Sequence, residues 1–284
     1  MRIAELKVNK FIKRSNYKAV IVIGTVLLLG IVITVISIIS GIKSKNEYVS
    51  YDLSVPAERE ENAERAQKAK YVTETVYDGA DVPYILYDWE FIPEEEKQID
   101  GNLCYTNKEL VDAIGEERVQ EYVDVAKAYY QLELGNNADT IAADTDAFIN
   151  KYLELRKGCA SVANGVHGEE AELENSVGVD VLASQIAQMY VDNGLSLKTE
   201  VVSDKSLVYM KEYYYYVRGQ LKITPISSEH KKGEFCQPLY EQFGIYAKYG
   251  EETEVFFEVE IEPNKDKPVA VSNIYQPKQD IKEK

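Results

Sequence analysis

Only two histidines, His167 and His230, stand in this 284-residue chain. A Ser-His-Asp or Cys-His mechanism therefore has two places to start. Cys159 precedes His167 by eight residues and His230 precedes Cys236 by six, spacings that match no common zinc-ligand pattern. With Cys104 as the third cysteine there is no Cys-x-x-Cys pair, so neither a zinc ribbon nor a thioredoxin-like redox pair is supported. One disulfide with one thiol left over, or three buried thiols, both stay open.

Carboxylates cluster at Glu94, Glu95 and Glu96, and again at Glu169, Glu170, Glu172 and Glu174. Such groups are the raw material for calcium binding or for the paired acids of glycoside hydrolysis. Neither follows the Asp-x-Asp-x-Asp-Gly order, and charge runs of this kind read as solvated loops. No phosphate-binding glycine loop, Gly-x-Ser-x-Gly elbow or His-Glu-x-x-His helix occurs. No residue is assigned a catalytic, cofactor-binding or metal-ligating role, and an enzyme is the less favoured class. The distinctive feature is tyrosine, 22 residues against one tryptophan. Tyr213, Tyr214, Tyr215 and Tyr216 run consecutively in an expected strand. Alternation sends two of those rings into a core and two outward. Core packing is the ordinary use of such rings in a sheet; the functional reading makes them the candidate contact surface, since rigid amphipathic rings suit recognition of sugar or peptide.

The elements that would position these residues read as helices first and strands after. Thr106-Asn107-Lys108-Glu109 fits a capping box and predicts a helix start. Val111, Ile114, Tyr122, Val125, Tyr129 and Leu132 then follow at helical steps around Gly115, and Gly135 supplies the stop. Phe148, Tyr152 and Leu155 before Gly158 predict a second helix. Val179, Leu182, Ile186, Met189 and Tyr190 before Gly194 predict a third. The Gly- and Glu-rich stretch 159–177 between them reads as a surface loop. Past Gly194 the period changes. Val255, Phe257, Val259 and Ile261 alternate with Glu254, Phe256, Glu258 and Glu260, a strand with one dry and one wet face. Further strands are expected at 197–203, 207–217, 220–226 and 268–275, with Gly219 as a bulge or a turn. Helices followed by strands without alternation imply an α+β domain with an antiparallel sheet.

Ahead of this domain the chain is split by charge. The first 18 residues carry Arg2, Lys7, Lys10, Lys13, Arg14 and Lys18 against Glu5. Ala19 to Ile42 carries no charge at all, which as a helix spans about 36 Å, more than a hydrocarbon core of about 30 Å. Tyr17 and Tyr48 flank it, as interfacial aromatics do. From residue 43 onward, 26 of the 32 bases face 47 of the 48 acids, a net −21 against −16 for the whole chain. Bases held on the cytoplasmic side orient the N-terminus inward and the remainder outside. A cleaved signal fits less well, its apolar core being about 7–15 residues long with a small-x-small site after it. The expected organisation is a basic tail 1–18, a transmembrane helix 19–42, a polar stalk 43–70 with a helix start at Ser54 or Pro56, an extracytoplasmic domain 71–276 and a polar tail 277–284. So acidic an outer part repels phosphate backbones, which excludes nucleic acid as a partner.

An N-terminal anchor, a stalk, about three helices and a run of antiparallel strands over residues 19–275 resembles the bitopic scaffold proteins of bacterial conjugation and type IV secretion machines. The resemblance is one of element order, and no residue role transfers with it. It implies a nuclear-transport-factor-2-like outer domain, with a cystatin-like sheet as the alternative, and a non-enzymatic scaffold that docks other envelope proteins, with homo-oligomers open. The alternative is an extracytoplasmic domain that binds or hydrolyses cell-wall glycan or peptide. No cofactor is expected.

Overall fold

The computed structural model describes residues 48–77, 81–93, 103–157, 162–163, 176–263 and 266–276. The expected basic tail, the membrane span Ala19–Ile42 and the tail 277–284 lie outside them, as do Cys159, His167 and the two glutamate clusters. Among the described residues no helix is long and apolar enough to cross a membrane. Ser50–Lys284 groups as one unit.

That unit is α+β, with a curved antiparallel sheet. Its helices are α1 (Pro56–Ala66), α2 (Asn107–Ile114), α3 (Glu116–Leu134), α4 (Ala138–Ala143), α5 (Thr145–Leu155), α6 (Val179–Asp192) and α7 (Gln237–Phe243). The strands are β1 (Val162–Ala163), β2 (Ser176–Val177), β3 (Ser196–Val202), β4 (Val208–Lys211), β5 (Tyr214–Ile226), β6 (Thr253–Ile261) and β7 (Val269–Tyr275). The capping box forms as expected: the Thr106 hydroxyl accepts from the Glu109 amide while the Glu109 carboxylate accepts from the Thr106 amide. Gly135 ends α3. Helices α4 and α7 carry no periodic pattern long enough to announce them.

β1 pairs with β2 alone, and the other five strands make one sheet. β5 runs through its centre, with β3 against Gln220–Ile226 and β4 against Tyr214–Val217 on one side. β6 and then β7 follow on the other. The strand expected over 207–217 is broken at Glu212-Tyr213, where the chain turns from β4 into β5. Gly219, expected as a bulge or turn, lies inside the unbroken β5. A Cβ there would press into the Phe257 ring and the Val202 carbonyl oxygen, so the glycine serves close approach of neighbouring strands. Gly219→Ala is expected to lower the unfolding free energy by about 1–3 kcal/mol through overpacking; a urea midpoint equal to the parent's would show that the ring moves aside freely.

One face of the sheet packs on the helices. Tyr215, Val217, Leu221, Ile223, Val255, Phe257, Val259 and Ile261 meet Val119, Tyr122, Val123, Ala126 and Tyr130 of α3 in one apolar core. Tyr122 stacks on Tyr215 at 4.0 Å and Tyr130 leans on Phe257 at 4.3 Å between centroids. The opposite face, expected to be wet on β6, is covered as well. Trp89 packs on Phe256 and Tyr275, and Phe91 on Tyr209, which stacks on Tyr216. The cover comes from residues within 51–77 and 81–92, part of which reads in sequence as a solvated stalk. α1 does start at Pro56, but it buries Ala66 and Asn62. The Asn62 amide donates to the Val82 carbonyl and its oxygen accepts from the Tyr84 amide, both at 2.9 Å. A polar helix thus docks through a buried asparagine and a buried alanine, which stand in for the apolar stripe that the sequence lacks.

Candidate interaction surface

The four consecutive tyrosines are dispersed by the hairpin. Glu212 and Tyr213 form its two-residue tip with φ of 52° and 77°, the sign pattern of a type I′ turn that glycine and asparagine ordinarily fill. Tyr213 projects there with 55% of its surface exposed. Tyr214 is half-buried. Tyr215 enters the helix-side core and Tyr216 the opposite layer. Of the candidate surface, the tip tyrosine alone is well exposed, and its backbone sits where a bulky side chain is strained.

A larger aromatic surface lies elsewhere, on the excursion between β5 and β6. Three backbone bonds close it: Gly233 to the Tyr249 carbonyl, Cys236 to the Ala247 carbonyl and Tyr249 to the Glu234 carbonyl. Pro238 in the first turn of α7 suits a helix start. Gly244 ends that helix in the left-handed conformation. The underside of this platform, Cys236, Leu239, Ile245, Ala247 and Tyr249, is buried in the core. Its upper side carries Phe235, Tyr240 and Tyr246, exposed by 40%, 50% and 38%. Their rings touch one another, with Phe235 5.7 Å from Tyr240 and 5.0 Å from Tyr246. Gln276 fastens the platform to the end of β7, its side chain bonding both the amide and the carbonyl of Tyr246 at 2.8 Å. Aromatic rings held in contact on a rigid, exposed base are what recognition surfaces concentrate. Sequence spacing does not disclose them, because steps of five and six residues follow neither the helical nor the strand period.

The same excursion carries His230, which is exposed, and Cys236, which is buried. His230 stacks on the Tyr249 ring at 4.5 Å and reaches Glu234 with Nδ1 at 3.3 Å. Burial pushes the Cys236 thiol up, away from the thiolate that a nucleophile or a metal ligand requires. Cys104 and Cys236 are both free thiols. Among the described residues no three His, Cys, Asp or Glu side chains converge in a manner that could hold a metal.

Two buried ionic clusters complete the polar interior. In the layer over β6, Arg218 reaches Glu258 with Nε at 2.6 Å and donates to the Trp89 and Glu90 carbonyls at 3.1 and 2.6 Å. Its guanidinium lies over the Phe91 and Tyr209 rings at 4.7 and 4.9 Å. Among the helices, Glu133 Oε1 accepts from the Tyr129 and Tyr152 hydroxyls at 2.7 and 2.8 Å, with Arg156 donating to the Tyr129 oxygen at 3.4 Å. The Glu133 cluster is buried and ties α3 to α5 and the adjoining Arg156, whereas the Arg218 cluster, with Glu258 part-buried, ties the covering layer to the sheet. Neither a protein-family model nor a curated protein matches the chain.

Proposed function

We propose that this chain is a single-pass protein of the cell envelope, anchored by Ala19–Ile42 with residues 1–18 in the cytoplasm, whose outer domain docks other envelope proteins as a scaffold. The observation that carries the docking role is the ring cluster of Phe235, Tyr240 and Tyr246 on its closed platform. Anchor and orientation are supported by the uncharged run and the bases ahead of it. The order of helices followed by antiparallel strands agrees with a nuclear-transport-factor-2-like or cystatin-like outer domain, and with a place in a conjugation or secretion apparatus. A rival occupant of the rings is a cell-wall glycan, favoured by Gln237 and Glu241, which flank Tyr240 and bond to each other at 2.5 Å.

The test is affinity capture of the full-length protein from solubilised membranes, beside a variant carrying Phe235→Ser, Tyr240→Ser and Tyr246→Ser. The parent is expected to return membrane proteins in near-equimolar amount, and the variant to lose them while unfolding at a similar urea concentration, because its buried underside is intact. Identical partners on both proteins would remove the surface from consideration. Retention on peptidoglycan with no protein partner would hand the rings to the glycan. On intact cells, an amine reagent that does not cross membranes is expected to label lysines beyond residue 70 and to spare the first 18 residues; the reverse pattern overturns the topology.

A further inference from the structure

β7 is the outermost strand on its side of the sheet, and its sequence Val-Ala-Val-Ser-Asn-Ile-Tyr carries no charge in a chain that is 28% charged. Proteins ordinarily close such an edge with charge, internal proline or a covering segment, because it presents a row of unpaired amide and carbonyl groups. The opposite margin of this sheet is closed in that way. Backbone bonds from Ala138 to Leu195 and from Leu197 to Asn136 cover the start of β3, and Tyr105 exchanges two bonds with Met210 on β4. Along Val271–Tyr275 no strand among the described residues pairs with the outer side of β7. β1 comes near β7 without pairing with it.

Backbone chemistry selects the kind of occupant. A row of alternating donors and acceptors at the strand repeat is satisfied by another extended backbone, and not by a helix, whose backbone groups are used internally, or by a sugar. Charge then separates a foreign segment from a second copy. From residue 43 onward 47 acids face 26 bases, so two copies brought edge to edge set like fields together, whereas a neutral or basic segment is drawn in. The end of β7 also leads to the aromatic platform, since Gln276 binds the Tyr246 backbone.

We propose that β7 is a strand-addition site, which takes an extended, neutral or lysine-bearing segment of a partner protein as a sixth strand and seats one of its apolar side chains on Phe235, Tyr240 and Tyr246. This deepens the docking reading and rests on it only for the aromatic anchor. Main-chain bonds would supply the grip, and the rings the choice of end residue.

The probe is an acetylated, amidated decapeptide of alternating valine and lysine with a terminal tyrosine, offered to the full-length protein in detergent. Two analogues carry N-methyl groups on every second amide, one on the odd and one on the even positions. Binding is expected to slow hydrogen exchange within Val271–Tyr275, and one analogue is expected to lose about tenfold in affinity while the other does not, because alternate amides face alternate sides of a strand. Asn273→Lys is expected to weaken the probe by a similar factor, and the analogue pair decides the same question on the parent should that variant fold poorly. Equal binding of both analogues, no binding, or exchange protection outside β7 overturns the proposal. So does a concentration-dependent dimer that Asn273→Lys abolishes, which would assign the edge to a second copy. If ring-dependent capture of partners persists while the edge fails, the strand-addition site falls and the docking surface stands.

Discussion

Arg218→Ala is expected to lower the unfolding free energy by about 3–5 kcal/mol, the cost of leaving a buried ion without its partner. Two losses add in that variant. The Glu258 carboxylate keeps the Tyr209 hydroxyl, which donates at 2.9 Å, but loses its counter-ion. The carbonyls of Trp89 and Glu90 lose the donor that fastens residues 81–92 to the sheet. A double variant, Arg218→Met with Glu258→Met, separates them. It should recover the share owed to the stranded carboxylate and retain about 1–3 kcal/mol for the two carbonyls together, since Trp89 is half-buried and Glu90 exposed. The sole tryptophan is Trp89, with Arg218 at 5.6 Å from its ring. Its fluorescence during urea unfolding therefore reports on the latch itself. An unchanged midpoint in Arg218→Ala would mean that the covering layer is held by apolar packing alone. A double variant as weak as the single one would put the whole cost on the carbonyls.

That covering layer marks where sequence reading stops. Local chemistry was legible: the Thr106 capping box, the glycine stop at 135 and the alternation along β6 each report a condition satisfied within a few residues. Asn62 and Asn107 report nothing locally. Asn107 stands as the first helical residue of α2, an ordinary place for asparagine. Yet its buried side chain accepts from the Val76 amide and donates to the Lys205 and Val208 carbonyls. Such partners lie 31, 98 and 101 residues away, beyond any window in which periodicity is visible. Glu258 likewise reads as a solvent-facing residue, because its pattern fixes which face it occupies but not what lies over that face.

The candidate site was half legible for the same reason. Alternation along the run of four tyrosines predicts two rings inward and two outward, whereas Tyr215 and Tyr216 are buried on opposite faces, and the turn at Glu212-Tyr213 lacks the glycine or asparagine that would have announced it. One tyrosine of the run is thereby placed at a strained, exposed tip and two in packed interiors. The abundance of tyrosine itself follows from the buried polar clusters: a phenol fills core volume and still answers a buried carboxylate, hydroxyl or carbonyl, as Tyr129, Tyr130, Tyr152 and Tyr190 do.

Glu133 is where that use of tyrosine carries the largest consequence for pH. Glu133→Ala removes the acceptor of two buried phenols and the carboxylate beside Arg156, and is expected to cost about 2–5 kcal/mol. Glu133→Gln keeps an acceptor and deletes only the charge, so it should cost less at neutral pH. Burial pushes the Glu133 carboxyl up, against the hydrogen bonds of Tyr129 and Tyr152 and the charge of Arg156, which pull it down. The folded protein therefore holds a proton at a pH where the unfolded chain has released it. Stability falls as pH rises wherever the folded state binds more protons. The carboxylate's penalty is fully present above the folded value and fully relieved only below the ordinary carboxylate range. The stability of the parent relative to Glu133→Gln should thus increase as pH is lowered from neutral through the folded value. Carboxylates common to both proteins cancel from that difference. Urea titrations of the two proteins across this range measure it. A difference that grows with rising pH instead would mean that Arg156 and the phenols outweigh burial, and that Glu133 is held in the fold as a stabilised anion.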